Sequence, residues 1–390
     1  MPFDFDRITP RKGTASLKYD FHERRGKPKD ALPLWVADMD FPAPPAVLQA
    51  LRARVGHGIF GYTQPGPEYF LTLKRWFSGR FGWEVEEDWL VRTPGVVFAL
   101  SMAVRAFTKP GEAVLIQEPV YYPFSSVVHK NGRKLVVNQL AFDGERYSID
   151  FDDFEGKIAA EGVKLFILCN PHNPVGRVWR EEELLRLGEI CKQHGVLVVA
   201  DEIHQDFVYE GHRHLVFAAL RPEFSSFSLT CTAPTKSFNL AGLQISNIFI
   251  PNGELRQAFA REIDATGYDE PSLMGVLACM AAYEQGGPWL DELKAYLKGN
   301  LEFLRAFLTK MPQTRLIEPE GSYLVWLDFR ATGMEGEKLD RFVLEEAGLW
   351  LDAGEMFGKG GEGFQRVNIA CPRALLQEAL ERLEAALRRL

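Results

Sequence analysis

The chain has 390 residues, too many for one ordinary hydrophobic core, and this length predicts roughly two to three domains. Hydrophobic residues make up 46% and charged residues 25% of the sequence, close to the averages of globular proteins, which excludes a disordered or collagen-like chain. The net charge of −8 offers no broad attraction for nucleic acid or anionic lipid. We therefore expect a globular protein with neither kind of partner.

The sequence also indicates a compartment. No apolar run reaches the roughly 18 residues needed to span a bilayer, and the start, MPFDFDRITPRK, has acidic residues and no apolar stretch typical of a secretory signal. The five cysteines are scattered and lack CxxC spacing, which favours reduced thiols. These features predict a cytoplasmic protein.

Residues 1–45 are rich in Pro, Arg and Asp and predict an N-terminal arm that packs on the rest of the protein. From 46 to 285, helical periodicity alternates with short apolar runs: VLIQ near 114, KLFILC at 164–169, VLVVADE at 196–202, FSLTC near 227 and QISNIFI at 244–250. Because these runs are continuously apolar, they predict an α/β domain with a mostly parallel sheet covered by helices on both faces.

Residues 286–390 predict a smaller α+β domain, which the arm is expected to join. A helical stretch around 278–310 leads into it, followed by a strand in SYLVWLDF, a helix around 338–347, a Gly-rich loop and a strand in QRVNIA. The closing segment predicts an amphipathic helix, because four leucines fall on one stripe at spacings of three and four: Leu376, Leu380, Leu383 and Leu387.

Polar clusters follow four of the predicted strands. They are TPGVV from Thr93, NPHNPVG from Asn170, DEIH from Asp201 and TAPTKSFN from Thr232. Ligands of open α/β sheets bind at the carboxyl ends of the strands, so we expect these clusters to converge on one crevice.

Two of the clusters offer backbone and amide groups to a ligand. Gly95 precedes a predicted helix, and the free amides of Val96 and Val97 at its N-terminus suit a phosphate. The prolines around Asn173 hold an irregular turn that can present its amide inward. For each cluster, an ordinary turn without a ligand is the alternative.

The other two clusters offer ionisable groups. Asp201 ends an apolar strand, where a carboxylate is costly unless it faces a cation such as a protonated ring nitrogen; helix capping is the alternative. Lys236 lies at the crevice, where burial can depress its pKa and make it a nucleophile toward a carbonyl carbon; a solvated surface charge is the alternative. His204, three residues after Asp201, could share the pocket.

Two further patterns predict no site. The GKGGEG segment, Gly358 to Gly363, matches GxGxxG but precedes a strand, so it predicts a flexible loop and no dinucleotide site. His204, His212 and His214 with Asp201 match no zinc spacing, so no metal is expected.

Together the four clusters resemble the fold type I enzymes that use pyridoxal 5′-phosphate, the class I/II aminotransferase superfamily. Five segments are more specifically similar to the cystathionine β-lyase group of C–S lyases, the MalY, PatB and cystalysin type: LPLWVADMDF, HGIFGY at 57–62, CNPHNPVGRVW at 169–179, DEIHQDFVYEGHRH at 201–214 and APTKSFNLAGL at 233–243. The similarity runs nearly end to end.

The resemblance implies roles for the candidate residues. Lys236 would form the imine with the cofactor, Asp201 would pair with the pyridinium nitrogen and Asn173 would bind the ring hydroxyl. The remaining implied contacts are Tyr121 stacked on the ring, His204 nearby, and a phosphate site made by the Gly95 turn, the amides of Val96 and Val97, and Thr232 or Thr235.

Two implied roles concern the partner subunit and the substrate. Tyr62 would reach the phosphate of the neighbouring subunit, which implies a homodimer with shared sites. Arg366 would hold the α-carboxylate of the substrate as a bidentate fork.

Two positions depart from the usual aminotransferase pattern. His204 stands where aminotransferases usually carry Tyr, as in the lyase branch. Gln244 stands where many aminotransferases place a phosphate-binding Arg, so the phosphate would depend more on amides and hydroxyls.

The resemblance implies α,β-elimination from L-cystathionine or a related cysteine S-conjugate, giving a thiol, pyruvate and ammonia. Two alternatives stay open on sequence alone: an aminotransferase that passes the amino group to a 2-oxo acid, and a cofactor-binding regulatory protein that acts through a partner.

Overall fold

The computed structural model describes residues 3–390. Its helices are α1 (Pro45–His57), α2 (Pro67–Phe81), α3 (Val96–Phe107), α4 (Pro123–Lys130), α5 (Phe151–Glu161), α6 (Glu181–His194), α7 (Pro222–Ser226), α8 (Pro234–Ser237), α9 (Gly253–Asp264), α10 (Leu273–Gln285), α11 (Gly287–Leu308), α12 (Gly336–Arg341) and α13 (Arg373–Leu387). A π-helical turn, Phe342–Glu346, extends α12. Short 3₁₀ turns lie at Glu23–Arg25, Glu87–Trp89, Phe217–Ala219, Ala241–Leu243, Arg330–Thr332 and Gly354–Phe357.

The strands are β1 (Leu32–Pro33), β2 (Leu90–Thr93), β3 (Ala113–Glu118), β4 (Lys134–Gln139), β5 (Ala141–Phe142), β6 (Tyr147–Ser148), β7 (Leu165–Cys169), β8 (Leu197–Asp201), β9 (Ser228–Thr232), β10 (Ser246–Phe249), β11 (Arg315–Ile317), β12 (Leu324–Asp328), β13 (Leu349–Trp350), β14 (Asp352–Ala353) and β15 (Phe364–Asn368). Each apolar run singled out in the sequence overlaps one of these strands.

A seven-stranded sheet, in the order β2-β10-β9-β8-β7-β3-β4, forms the centre of the protein. Its strands pair in parallel except for β10, which is antiparallel to both of its neighbours. The predicted α/β class with a mostly parallel sheet is therefore confirmed.

Both faces of this sheet are buried, which explains the continuously apolar strands. Along β7, Leu165 and Ile167 pack in the cluster that includes residues of α3 and α4, whereas Phe166 and Leu168 pack in the cluster that includes residues of α5 and α6. Successive side chains of a strand point to opposite faces, so a sheet covered on both sides needs apolar residues at every position.

A second sheet, β11-β12-β15-β14, is antiparallel and packs with α11 and α13. The arm joins this part of the protein through β1, which pairs in parallel with β13. The predicted stripe of α13 is buried, since Leu376, Leu380, Leu383 and Leu387 all lie in the core. The domain limits at 45/46 and 285/286 stay predictions.

The structure adds detail to three points of the sequence analysis. The helical stretch around 278–310 consists of two helices, α10 and α11, which meet at Gly286, and α11 begins at Gly287 with Pro288 in its first turn. The helix expected at 338–347 is α12 followed by the π-helical turn. Strands β2 and β4 were not predicted, since neither has the continuous apolar run of the other central strands.

The GKGGEG segment precedes β15, and the Lys359 amide in it donates to Glu118 Oε2 (2.9 Å) at the end of β3. Within residues 3–390, no helix combines the length and the hydropathy that a membrane crossing requires.

Substitution of two helical glycines by alanine is expected to have opposite effects on stability. A Cβ at Gly188 in α6 would overlap the ring of Phe224, which is fully buried and stacked on Phe217 (5.0 Å between centroids), whereas a Cβ at Gly156 in α5 would meet no atom within 4 Å. We expect Gly188→Ala to destabilise the protein by about 1–3 kcal/mol and Gly156→Ala to stabilise it by about 0.5–1 kcal/mol. Thermal unfolding of the two variants beside the wild type measures both; equal shifts would contradict the packing described.

Candidate active site

The carboxyl ends of five central strands lie at one edge of the sheet. Because β10 is antiparallel to both β2 and β9, strand β2 runs in the same direction as β9, β8, β7 and β3. The segments that follow these strands enclose a cavity of about 430 Å³. Nine of the candidate residues line it: Gly95, Val96, Val97, Tyr121, Asn173, Asp201, His204, Thr235 and Lys236.

Lys236 lies in the short helix α8, which follows β9. Its Nζ donates to the carbonyl oxygen of Ala37 (2.7 Å). Burial, and next the nearby charge of Arg366, lowers the pKa of Lys236 to about 8. The amine is therefore largely available as a neutral nucleophile or base at mildly alkaline pH, as expected for a lysine at a crevice.

Asp201 is the last residue of β8 and is 6% exposed. Within the described residues, the one hydrogen bond to its carboxylate comes from the amide of Ile203 (3.1 Å to Oδ1). Burial raises the pKa of Asp201 to about 7, although the Ile203 amide and the Lys236 charge act in the opposite direction. Such a buried carboxylate, without a close ion pair, is suited to a ligand that brings a positive charge.

The N-terminus of α3 faces the same cavity. Gly95 caps this helix without a side-chain hydrogen bond, and its carbonyl oxygen accepts from Ala99 (3.1 Å). The first amides of a helix have no partner inside it, so those of Val96 and Val97 are available to an anion. Thr235 and Gln244 line the cavity as well.

Asn173 and Arg366 form one polar contact at the cavity. The Arg366 Nη1 donates to Asn173 Oδ1 (3.0 Å), and Nη2 donates to the carbonyl oxygen of Trp35 (2.9 Å) and to Asp352. Arg366 is 2% exposed, and its Nε has no hydrogen-bond partner in the described structure. One guanidinium edge therefore keeps an unused donor.

His204 is a neutral neighbour of these groups. It is buried, its Nδ1 lies 3.3 Å from Ser322 Oγ, and its ring packs edge-on against Tyr323. Burial, followed by the charges of Lys236 and Arg366, holds the pKa of His204 well below its usual value. The ring therefore adds no charge to the cavity.

Two candidates are placed elsewhere. The hydroxyl of Thr232 points to the neighbouring strand and donates to the carbonyl oxygen of Asn247 (2.8 Å), so of the two threonines only Thr235 reaches the cavity. Tyr62 lies in the segment 58–66 between α1 and α2 and is 96% exposed.

The histidines of the DEIH region have separate contacts. His214 Nε2 lies 2.9 Å from Glu202 Oε2 in a buried pair, and His212 Nδ1 is 3.9 Å from Glu320. No group of three potential metal ligands is found among the described residues. A larger surface groove near His212, about 770 Å³, contains none of the candidate residues.

Sequence reasoning missed Ala37, which lines the cavity; we call its segment, residues 36–41, the strap. Its Ala37 carbonyl accepts from Lys236 and also from Tyr323 (3.0 Å). A backbone carbonyl carries no residue-specific signal, so it could not be predicted. Asp352, the partner of Arg366, was missed because β14 is only two residues long. Cys169, at the end of β7, also lines the cavity.

The strap is fixed from three directions. Asn239, three residues after Lys236, donates to the carbonyl oxygens of Met39 (3.0 Å) and Phe41 (2.8 Å). Asn368 in β15 donates to those of Val36 and Asp38 (both 2.6 Å). From the arm, two cations reach the acids of the strap: Lys18 pairs with Asp40 (2.6 Å), and Arg11 pairs with Asp38 (2.6 Å) and Asp40 (2.7 Å).

Comparison with known proteins agrees with this arrangement. Residues 29–383 match the family model described as aminotransferase class I and II. The chain belongs to the class I and II aminotransferase family.

Several members of this family resemble the chain over its whole length. Cystathionine beta-lyase PatB of Bacillus subtilis (strain 168) is 47% identical over 385 residues, covering 98% of this chain and 100% of the relative. Protein MalY of Escherichia coli (strain K12) is 32% identical, with 99% of each chain covered. The crystal structure of cystalysin from Treponema denticola, which contains pyridoxal 5′-phosphate, superposes with a TM-score of 0.96 at 37% identity, with 100% of each chain covered.

The buried carboxylate predicts a pH effect on the stability of the ligand-free protein. Because the pKa of Asp201 is raised from 3.8 to about 7, the folded state keeps a proton between these values that the unfolded state releases. Stability is therefore lost as pH rises through this window. We expect Asp201→Asn to be more stable than the wild type at pH 8, by on the order of 4 kcal/mol, with the difference vanishing near pH 4.

Thermal unfolding of the two ligand-free proteins from about pH 4 to 8 tests this expectation. Asp20 serves as the control of opposite sign, because hydrogen bonds from the Gly13 amide and its neighbours lower the pKa of Asp20. Asp20→Asn should be less stable than the wild type by a similar amount from pH 4 to pH 8, because the contribution of Asp20 is lost only as pH falls through its folded-state pKa, which lies below 3.8. A difference between Asp201→Asn and the wild type that does not change with pH would show that Asp201 is not a desolvated acid.

Proposed function

We propose that the protein is a pyridoxal-phosphate-dependent C–S β-lyase that cleaves L-cystathionine or related cysteine S-conjugates to a thiol, pyruvate and ammonia. The observation that carries the proposal is one cavity that brings together a lysine of lowered pKa and a buried carboxylate without an ion pair. The 47% identity to a cystathionine β-lyase over the full length supports the same reaction.

The residues of the cavity fit pyridoxal phosphate. The unpaired Asp201 carboxylate suits a protonated ring nitrogen, the open N-terminus of α3 suits a phosphate, and the Lys236 amine suits an aldehyde. The volume of about 430 Å³ lies in the range of small-molecule sites.

Each contact of the cofactor is assigned to a residue of this cavity. Lys236 would hold the aldehyde carbon, Asp201 would keep the ring nitrogen protonated, and Asn173 would donate its amide to the ring hydroxyl. The amides of Val96 and Val97 with the Thr235 hydroxyl would hold the phosphate, while Tyr121 would pack on the ring. Thr232 has no part in this assignment, because its hydroxyl is committed to Asn247.

When bound, pyridoxal phosphate withdraws electrons from the Cα of an attached amino acid and makes its proton acidic. Lys236 moves that proton: with a pKa near 8, its amine is a base close to the operating pH, where proton transfer is efficient. His204 stays neutral and does not compete for the proton. The Ala37 carbonyl orients the amine through its hydrogen bond.

Arg366 binds the α-carboxylate of the substrate. Its Nε offers an unused donor at the buried end of the guanidinium, and Asp352 and Trp35 keep the plane of the group fixed. The substrate carboxylate would accept a hydrogen bond from this N–H and lie against the guanidinium charge, which sets the orientation of the substrate as well as its affinity.

Incubation of the loaded protein with L-cystathionine tests the function. We expect pyruvate and free thiol to appear without any added 2-oxo acid. Strict dependence on a 2-oxo acid acceptor would instead identify an aminotransferase, and absence of both reactions together with cofactor binding would favour a regulatory role.

Lys236→Ala is expected to lower pyruvate release by at least about 10³-fold, because both the covalent attachment and the base are lost. Borohydride should fix the cofactor to the wild-type protein at Lys236. Lys294 is the control, since burial also lowers its pKa although it lies outside the cavity. Attachment at Lys294, or normal turnover by Lys236→Ala, would contradict the assignment.

We also propose a homodimer in which Tyr62 reaches the phosphate of the partner's site. The segment around Tyr62 supports this proposal because it exposes further apolar side chains: Ile59 is 65% and Phe60 59% exposed. Contiguous exposed apolar residues are typical of an interface. The reducing cytoplasm is the proposed location, supported by five buried cysteines without disulfides.

Mixing two inactive variants tests the shared site. A dimer of one Lys236→Ala chain and one Tyr62→Ala chain contains one site with both native residues, if Tyr62 acts across the interface. We expect the mixture to regain part of the wild-type pyruvate release after subunit exchange. No regain from confirmed mixed dimers would place Tyr62 outside the partner's site.

A further inference from the structure

We infer that Arg25 and Lys27 form a carboxylate-binding subsite near Arg366, which selects substrates whose leaving thiol carries a carboxylate. This inference rests on the proposed function and deepens it by naming the class of side chain that the site prefers. The two residues are called the cationic rim below.

The cationic rim lies on a rigid aromatic floor. Trp35 and Trp350 stack with ring centroids 4.5 Å apart and an interplanar angle of 11°. The guanidinium of Arg25 lies 5.0 Å from the Trp35 centroid, and Lys27 Nζ lies 6.0 Å from the Trp350 centroid. Cations over aromatic faces are held in place while remaining open to a second, anionic partner.

The floor connects the cationic rim directly to Arg366. The carbonyl oxygen of Trp35 accepts from Arg366 Nη2 (2.9 Å), and Asp352, two residues after Trp350, pairs with the same guanidinium. Arg25 and Lys27 are thus one aromatic ring away from the backbone that positions the residue proposed to bind the α-carboxylate. Tyr122 lies in the same region. Burial and the charge of Asp352 raise the pKa of Tyr122, whereas the charges of Arg366 and Arg25 lower it.

The nearby acids have other partners, so Arg25 and Lys27 remain available to a ligand. Asp352 is committed to Arg366, and Glu23 pairs with Lys29 (2.7 Å). Asp340, the other acid that Lys27 influences, accepts a hydrogen bond from Gln365 (2.7 Å). Within the described residues, neither Arg25 nor Lys27 has a carboxylate within ion-pair distance, although Lys27 lies near Asp340 and Asp352.

A substrate with two carboxylates matches this distribution. L-Cystathionine carries one carboxylate at the carbon that reacts and a second at the far end of the leaving thiol. With the first carboxylate on Arg366, we expect the second to come within reach of the cationic rim. Partial exposure of the rim makes each contact modest and sensitive to salt.

The first test compares two substrates whose leaving thiols differ in charge, L-cystathionine and S-butyl-L-cysteine. In the double variant Arg25→Gln/Lys27→Gln, we expect kcat/KM for L-cystathionine to fall by about ten-fold and that for S-butyl-L-cysteine to change by less than about two-fold. Lys29→Gln, in the same segment but paired with Glu23, should leave both values unchanged. An equal loss for both substrates, or no loss for either, would overturn the subsite.

The second test measures binding without turnover. Suberate has two carboxylates separated by a chain as long as that in L-cystathionine, and octanoate has the same chain with one carboxylate. Calorimetry with the loaded protein should show the Kd of suberate rising about ten-fold in the double variant while that of octanoate stays within about two-fold. Equal changes of Kd for the two ligands would show that the cationic rim does not bind the second carboxylate.

The two tests separate failure of the subsite from failure of the proposed function. If the wild type releases no pyruvate from either substrate, the lyase function is wrong, and the suberate comparison still decides the subsite. If S-butyl-L-cysteine is cleaved equally well by both proteins and suberate binds both equally, the function stands and the subsite is wrong.

Discussion

The site depends on two ionisable side chains that the fold removes from water without giving them each other as close partners. Asp201 ends a central strand and Lys236 follows the adjacent one, and burial moves the pKa of each toward neutrality from opposite directions. A direct salt bridge would have restored both pKa values to their ordinary ranges. Because the two groups are separated by a cavity, a ligand can bind between them and interact with both Asp201 and Lys236.

The surrounding structure maintains this separation. The parallel strands bring the segments after β7, β8 and β9 to one edge, and α3 adds an open helix N-terminus there. Ala37 of the strap lines the cavity and gives Lys236 a carbonyl acceptor in place of a carboxylate. A neutral acceptor orients an amine without raising its pKa as an anion would, so the lysine remains a usable base.

Much of this arrangement could be predicted from the sequence because it depends on local patterns. Continuous apolar runs fixed the positions of β7, β8 and β9, and polar residues directly after them identified Asn173, Asp201 and Lys236. Contacts that depend on tertiary geometry could not be predicted. Nothing in the sequence separates Thr232 from Thr235, although one hydroxyl faces the neighbouring strand and the other the cavity. The Ala37 carbonyl and the Arg366–Asp352 pair likewise arise from segments far apart in the chain.

The attachment of the strap has a consequence for the order in which the site forms during synthesis. Its contacts reach back to Lys18 and Arg11 and forward to Asn239 and Asn368, so they span most of the polypeptide. A nascent chain that has already folded its central sheet still lacks the β15 contacts that hold Val36 and Asp38. The ribosome must therefore deliver nearly the entire chain before the Lys236 amine acquires its final orientation.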